Sequence, residues 1–327
     1  MAFRLRLVPE KTNYDFFGWA TVTFGASVVA VVVSIILTIV LGLNFGIDFR
    51  GGTTIRTEST QAVDIGAYRA AITPLNLGDV SITEVFDPNF RADQHVAMIR
   101  IQAQATGEAI TPDTINAVKA ALQAHDPKID FTSVESVGPK VSGELIKTAI
   151  YAVLAATLAI VCYVWLRFEW QFAIGAVASL IHDVVITVGL FAVLQMKFDL
   201  TTIAALLTIL GYSINDTVVV FDRLRENLIK YKKMPLRDVM NLSVNETLSR
   251  TLMTSGTTLI ALASLLIFGG DVIRGFVFAI FVGIILGTYS SIYVAKNIVL
   301  FLGVKRDWSK PADGPEGPKG TQFATGK

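Results

Sequence analysis

Cysteine is almost absent. The one residue, Cys162, sits inside an apolar run with no partner in the chain, which excludes an intrachain disulfide and a cysteine metal site. A small, buried packing residue is what such a position predicts. Histidine is nearly as scarce, and among only three, His95, His125 and His182, the sequence offers no metal-ligand cluster or nucleophile–base constellation. No glycine-rich phosphate loop ending in Lys-Ser or Lys-Thr occurs, so ATP hydrolysis by this chain is not expected. Charge is thin as well: 17% of residues, a net of +1, and basic residues scattered among acids, which leaves no surface for nucleic acid. These gaps describe a protein that is not an enzyme and that uses no metal or other cofactor.

What fills the chain is apolar. Hydrophobic residues make up 52% of 327 positions, too many for one soluble domain and suited to several membrane spans. Crossing roughly 30 Å of hydrocarbon takes about 20 helical residues. Six stretches meet that length, near 17–43, 145–166, 172–194, 200–221, 251–268 and 275–295, so the reading is a polytopic α-helical membrane protein with six transmembrane helices. The first stretch has no charge from 16 to 47 and is too long for a signal-peptide core, so it is expected to stay as an anchor. Lys and Arg collect on one side: Arg4, Arg6 and Lys11 in the tail 1–16, Arg223, Arg225, Lys230, Lys232, Lys233 and Arg237 in the connection 222–250, and Lys305 and Arg306 at the start of the tail 302–327. Both termini are then cytoplasmic, the spans after the first occupy 142–301, and 44–141 lies outside. The stretch 309–327, rich in Gly, Pro and Lys, is expected to be disordered.

The outer segment alternates in its own way. Strand-like runs at 46–57, 80–86, 96–102 and 129–137 enclose helix-like runs at 62–75 and 111–124. The order β-α-β-β-α-β is that of an α+β ferredoxin-like domain. With 8 basic and 12 acidic residues it offers no nucleic-acid surface either, and such a fold implies no function by itself.

The chemistry-bearing residues are the few polar ones inside the spans. Ionisable groups at bilayer depth are costly, face the bundle interior and mark ion or proton paths. Asp183 follows His182 in the third span and shares a helix face with Ser179 and Thr187. Asp216 lies in Gly211-Tyr212-Ser213-Ile214-Asn215-Asp216 of the fourth. Arg250, at the cytoplasmic start of the fifth span, is placed to reach Asp216, where a guanidinium favours the ionised acid and desolvation opposes it. Asn215, Tyr212, Ser213, His182 and Thr254 are the supporting candidates, and Asp222 stands at the cytoplasmic mouth. Against this, a buried acid can be a permanent structural clamp. In the sixth span Ala279, Gly283, Gly287, Ser291 and Ala295 recur every four residues, a ridge of small side chains for close helix packing.

Several of these segments together resemble a known family. They are Gly46-Ile47-Asp48-Phe49-Arg50-Gly51-Gly52, Val137-Gly138-Pro139, His182-Asp183-Val184, the Gly211–Asp216 segment running on to Asp222-Arg223, the segment Arg250-Thr251-Leu252-Met253-Thr254-Ser255-Gly256-Thr257-Thr258, and Ser290-Ser291-Ile292-Tyr293-Val294-Ala295. In order and spacing they are similar to the SecD/SecF family of protein-export membrane proteins, on its SecF side, within the resistance-nodulation-division superfamily. The resemblance implies a subunit of the bacterial inner membrane, paired with SecD beside the SecYEG channel. It implies that proton or sodium motive force completes translocation of unfolded preproteins outside the membrane, independently of ATP. It also implies Asp216 as the ion-transferring carboxylate with Arg250 as its charge partner, and Asp183 as a further candidate. The alternatives are half of a proton-coupled exporter of small molecules or lipids, and a non-transporting scaffold subunit.

Overall fold

The computed structural model describes residues 12–87, 90–103 and 110–304. Arg4, Arg6, Lys11, Lys305, Arg306 and the stretch 309–327 lie outside the described residues. Along the chain, α1 (Ala20–Leu41) leads to β1 (Asn44–Phe45), α2 (Ile47–Arg50), β2 (Gly52–Ser59), α3 (Ile65–Ile72), β3 (Val80–Val85), β4 (His95–Gln102), α4 (Pro112–His125) and β5 (Asp130–Val137). Then follow α5 (Pro139–Arg167), α6 (Trp170–Leu194), β6 (Lys197–Phe198), α7 (Leu200–Lys230), α8 (Leu236–Phe268), α9 (Asp271–Tyr293) and α10 (Ala295–Leu302). Among the described residues six helices are long and apolar enough to cross a membrane, α9 and α10 together forming the last, Val272–Leu302.

The part between α1 and α5 is a four-stranded antiparallel sheet, in the order β3-β4-β2-β5, carrying α3 and α4. Central β2 pairs with β4 from Gly52 opposite Gln102 to Ser59 opposite His95. The alternation of β2 and β4 turns Ile55, Ile99 and Ile101 inward, where they pack with Tyr68, Ile72, Val118 and Leu122 of the two helices. The expected strand 46–57 is interrupted at its start. Residues 47–50 make a helical turn, and the chain then reverses through Gly51 and Gly52, both at positive φ. At Gly52 a Cβ would stand 2.3 Å from the Ile101 carbonyl oxygen, so only glycine lets β2 leave this turn paired to β4.

Span boundaries also differ from the hydropathy reading. α5 begins at Pro139, inside the expected outer segment 44–141, because proline suits the first helical position and the helix starts before its apolar run does. The expected loop 222–250 is mostly a helical hairpin: α7 continues to Lys230 and α8 begins at Leu236. Polar pairing sustains it past the apolar run. Arg223 bonds Glu226 and Glu246, Asn227 bonds Ser243 and Glu246, and Tyr14 and Asp15 clasp Asn245, Asn241 and Arg237. Cys162, expected to be buried, is exposed on α5.

The bundle centres on α7 against α9. Gly283 lets Ile209 into the place of a side chain and Gly287 does the same for Ser213, while Ala279 and Ser291 are buried on the same ridge. Asn44 and Phe45 pair in parallel with Lys197 and Phe198, joining the segment that leads into the sheet domain to the α6–α7 connection.

Candidate functional site

Asp183 is fully buried on α6 and is bonded from three directions. The Ser213 hydroxyl of α7 donates to it at 2.7 Å, the Ser290 hydroxyl of α9 at 2.8 Å, and the His182 ring lies 2.9 Å away through Nδ1. His182 itself stacks on Tyr289. Ser213, expected beside Asp216, is thus turned toward Asp183. A carboxylate so surrounded ties three helices together.

Asp216 is also buried, at 3% exposure, but its surroundings are sparse. The Ser255 hydroxyl of α8 reaches it at 3.4 Å, a long contact, and Ser255 is shared with Thr288 of α9 at 2.9 Å and with the Tyr212 hydroxyl at 3.5 Å. Two cations act on it by charge, Arg250 of α8 and Lys296 of α10. Arg250 lies about four turns into α8 rather than at its start, because that helix begins so early. It is exposed, and with Asp222, Arg223, Glu226 and Glu246 it lines a cleft of about 290 Å³ between α7 and α8.

The remaining candidates separate. Thr254 is exposed and its hydroxyl bonds its own helix backbone at Arg250 and Thr251, so it is not in the site; the adjacent Ser255 takes the place assigned to it. One position along a helix rotates a side chain by about 100°, and the start of the helix had to be known to choose between them. Asn215 is exposed, on the outside of the bundle. Asp222 forms an ion pair with Arg167 of α5 at 2.7 Å, away from Asp216.

Ser255 belongs to the polar cluster 254–258, whose sequence fits a hydrated path and a packing face equally. Three residues near the site are not among the sequence candidates: Thr288, bonded to Ser255, Ser290 at Asp183, and Lys296. The last left a visible signal. It is the one charged residue between Arg274 and Lys305, and it was overlooked because the sixth span was closed at 295.

Buried carboxylates facing basic residues, inside six spans that carry a sheet domain between the first two, define a multi-pass membrane protein with an intramembrane charge site. The model of the SecD/SecF protein export membrane protein C-terminal region matches residues 117–305, and that of the SecD/SecF GG motif matches 36–63. The protein translocase subunit SecF of Cereibacter sphaeroides is 70% identical over 324 residues, with 99% of each chain covered, and that of Rhodobacter capsulatus is 68% identical over 321 residues, with 96% of each covered. The chain belongs to the SecD/SecF protein-export family, as a SecF subunit.

Two solved structures resemble it. The crystal structure of SecDF from Thermus thermophilus, a translocon-associated membrane protein, superposes with a TM-score of 0.80 at 34% identity. SecDF in a super-membrane-facing form gives 0.66 at 36%. In both, 90% of this chain is covered but only 39% of the other, so this chain spans well under half the length of those proteins.

Proposed function

We propose that this subunit uses an inward proton or sodium gradient, without ATP and without covalent chemistry, to complete preprotein translocation on the outer side of the bacterial inner membrane. Asp216 carries the reading. A buried carboxylate with one long hydrogen bond, influenced by two cations and next to a polar cleft, is built to gain and lose a cation, whereas the saturated Asp183 is built to hold α6, α7 and α9 together. Arg250 is the partner that resets Asp216 to the ionised state, and the cleft around it is the route to the cytoplasm.

The rest of the assembly follows from exposed polar faces. Thr208, Gly211 and Asn215 of α7, and Thr254 and Thr257 of α8, are exposed. Nothing lies within 4 Å of where a Cβ would stand on Gly211 or Gly256. Small and polar residues facing outward at membrane depth call for a neighbouring helix rather than lipid, and we assign that place to SecD, with SecYEG as the channel and unfolded preprotein as cargo. The basic residues of the α7–α8 hairpin support a cytoplasmic position for it and for both termini. The outer domain, in the periplasm, is read as ferredoxin-like from its strand order.

The test reconstitutes the subunit with SecD and the channel in proteoliposomes, stalls a preprotein, removes ATP and applies an ion gradient. Completion in wild type is expected to fall to the no-gradient level in Asp216→Asn and in Arg250→Met, with the complex still assembled. Normal completion in both variants sinks the assignment. Loss of assembly before any loss of coupling points to a scaffold.

A further inference from the structure

α9 breaks at Val294 and α10 resumes the same span, with Lys296 in its first turn. Lys296 is 0% exposed, and its Nζ has no hydrogen-bond partner among the described residues. Long lysine stems normally carry the ammonium out to the membrane surface. Here the backbone forbids it. Gly175 of α6 packs so closely on α10 that a Cβ there would stand 2.5 Å from the Ala295 carbonyl oxygen, and Asn297 donates to the carbonyls of Ala20 and Tyr293. The turn that carries Lys296 is held on both sides, among Phe172, Phe221, Ala295 and Val299.

A buried ammonium without an acceptor is strongly disfavoured unless an opposite charge compensates it. The titratable and charged groups on the elements around Asp216 are few. α6 brings His182 and Asp183, which satisfy each other and two serines. α8 brings Arg250 and Glu246, α9 brings Tyr289 and Tyr293, and α7 brings Tyr212, whose hydroxyl reaches Ser255, Arg223 paired to Glu226 and Glu246, and Asp222 paired to Arg167 of α5. Of the acids within the spans, Asp183 and Asp222 have basic partners, whereas Asp216 has only the Ser255 contact among the described residues, which leaves it as the opposite charge for Lys296.

Building on the reading of Asp216 as the ion-binding group, we propose that Lys296 is its second basic partner, a positioning residue that with Arg250 sets when the carboxylate holds its cation. Arg250 is exposed at the cleft, whereas Lys296 is immobilised inside the bundle. Each cation bound at Asp216 removes the counter-charge of Lys296. Ion occupancy is thereby linked to how α10 seats against α6, a coupling that an exposed arginine alone does not provide.

The experiment uses the complex with SecD and the channel in proteoliposomes and compares Lys296→Met, Lys296→Arg and, as a packing control, Val299→Ala. Two midpoints are read against pH: that of gradient-driven completion, and that of the infrared carbonyl band of protonated Asp216, assigned by its loss in Asp216→Asn. Removing a nearby positive charge favours the protonated acid. Lys296→Met is expected to move the band midpoint upward by about one pH unit, tenfold in proton concentration, while Lys296→Arg and Val299→Ala leave it in place. For a sodium-coupled complex the same variant is expected to lower the half-saturating sodium concentration about tenfold. A midpoint unmoved by Lys296→Met, or moved equally by Val299→Ala, overturns the pairing. A shifted band in a complex that never responds to a gradient supports the pairing and overturns the ion-driven reading instead.

Discussion

Asp183 and Asp216 sit in adjacent spans and read alike in sequence, each an acid within an apolar run, yet their neighbours divide the work between them. Asp183 takes short bonds from Ser213 and Ser290, and each hydroxyl comes from a different helix. Removing one leaves a buried carboxyl short of a donor, which costs about 1–3 kcal/mol. Ser290→Ala and Ser213→Ala are therefore expected to lower the thermal midpoint of the purified protein in detergent, and Ser255→Ala, which gives up only the 3.4 Å contact, to change it little. Equal losses in all three remove the distinction drawn between the two acids. The carboxylates were legible because charge at membrane depth is conspicuous in any window. Their partners were not, because serine and threonine are unremarkable in spans and only the helix phase says which hydroxyl turns inward. Lys296 was as conspicuous as the acids and was lost to a boundary drawn one residue too early.

The helix that carries Asp216 is anchored hardest at its outer end. Asp199 caps α7, accepting from Thr202 N–H and from the Thr201 hydroxyl, while Asp48 of the glycine-pair segment accepts from the Leu200 N–H. Burial opposes the charged form of Asp199, but the Thr201 hydroxyl, Lys197 and the Thr202 amide outweigh it and hold the carboxyl below its usual value. A depressed acid contributes stability above its unfolded value and loses it as pH falls through its folded one. Amide exchange at residues 201–203, corrected for intrinsic rate, is thus expected to rise as the outer solution is acidified below the ordinary aspartate range. Asp199→Asn, which caps comparably, is expected to remove that dependence, and Asp199→Ala to cost about 1 kcal/mol. An exchange profile indifferent to acid in wild type contradicts the capping argument. Six spans were readable from hydropathy alone; their ends were not. Hydropathy stops counting where charges begin, but the hairpin of α7 and α8 continues on ion pairs between Arg223 and Glu246 that no window of a single segment contains.

At the scale of the whole molecule, the proposed cycle requires that a charge change at Asp216 reach the domain between α1 and α5. The contacts that join the two parts are few. Phe45 and Phe198 pack edge to face beside the short β1–β6 ladder, Asp48 caps α7, and the Ser142 hydroxyl of α5 donates to the Ile47 carbonyl. Arg274 of α9, next to Gly275 which approaches the Lys197 carbonyl, pairs with Asp87 at 3.2 Å and donates to the Phe86 carbonyl. The first three gather at one edge, around 44–51, and the last holds the β3–β4 loop. Packed aromatics and backbone bonds around 44–51 resist displacement more than the Asp87–Arg274 ion pair does, so the first make a hinge and the second a latch. None of this was visible in the sequence, because the tethers join residues up to 188 apart. If the cycle opens the latch, bridging it must stop work without disturbing the charge site. Asp87→Cys with Arg274→Cys, in a Cys162→Ser background, joined by a short reducible bis-thiol reagent, is expected to abolish gradient-driven completion, and reduction to restore it. Because the unbridged double variant already lacks the ion pair, it serves as its own control for the loss of that contact. Full-rate completion while the bridge is intact means that the Asp87–Arg274 contact stays closed throughout the cycle, and the coupling then has to pass through the 44–51 edge alone.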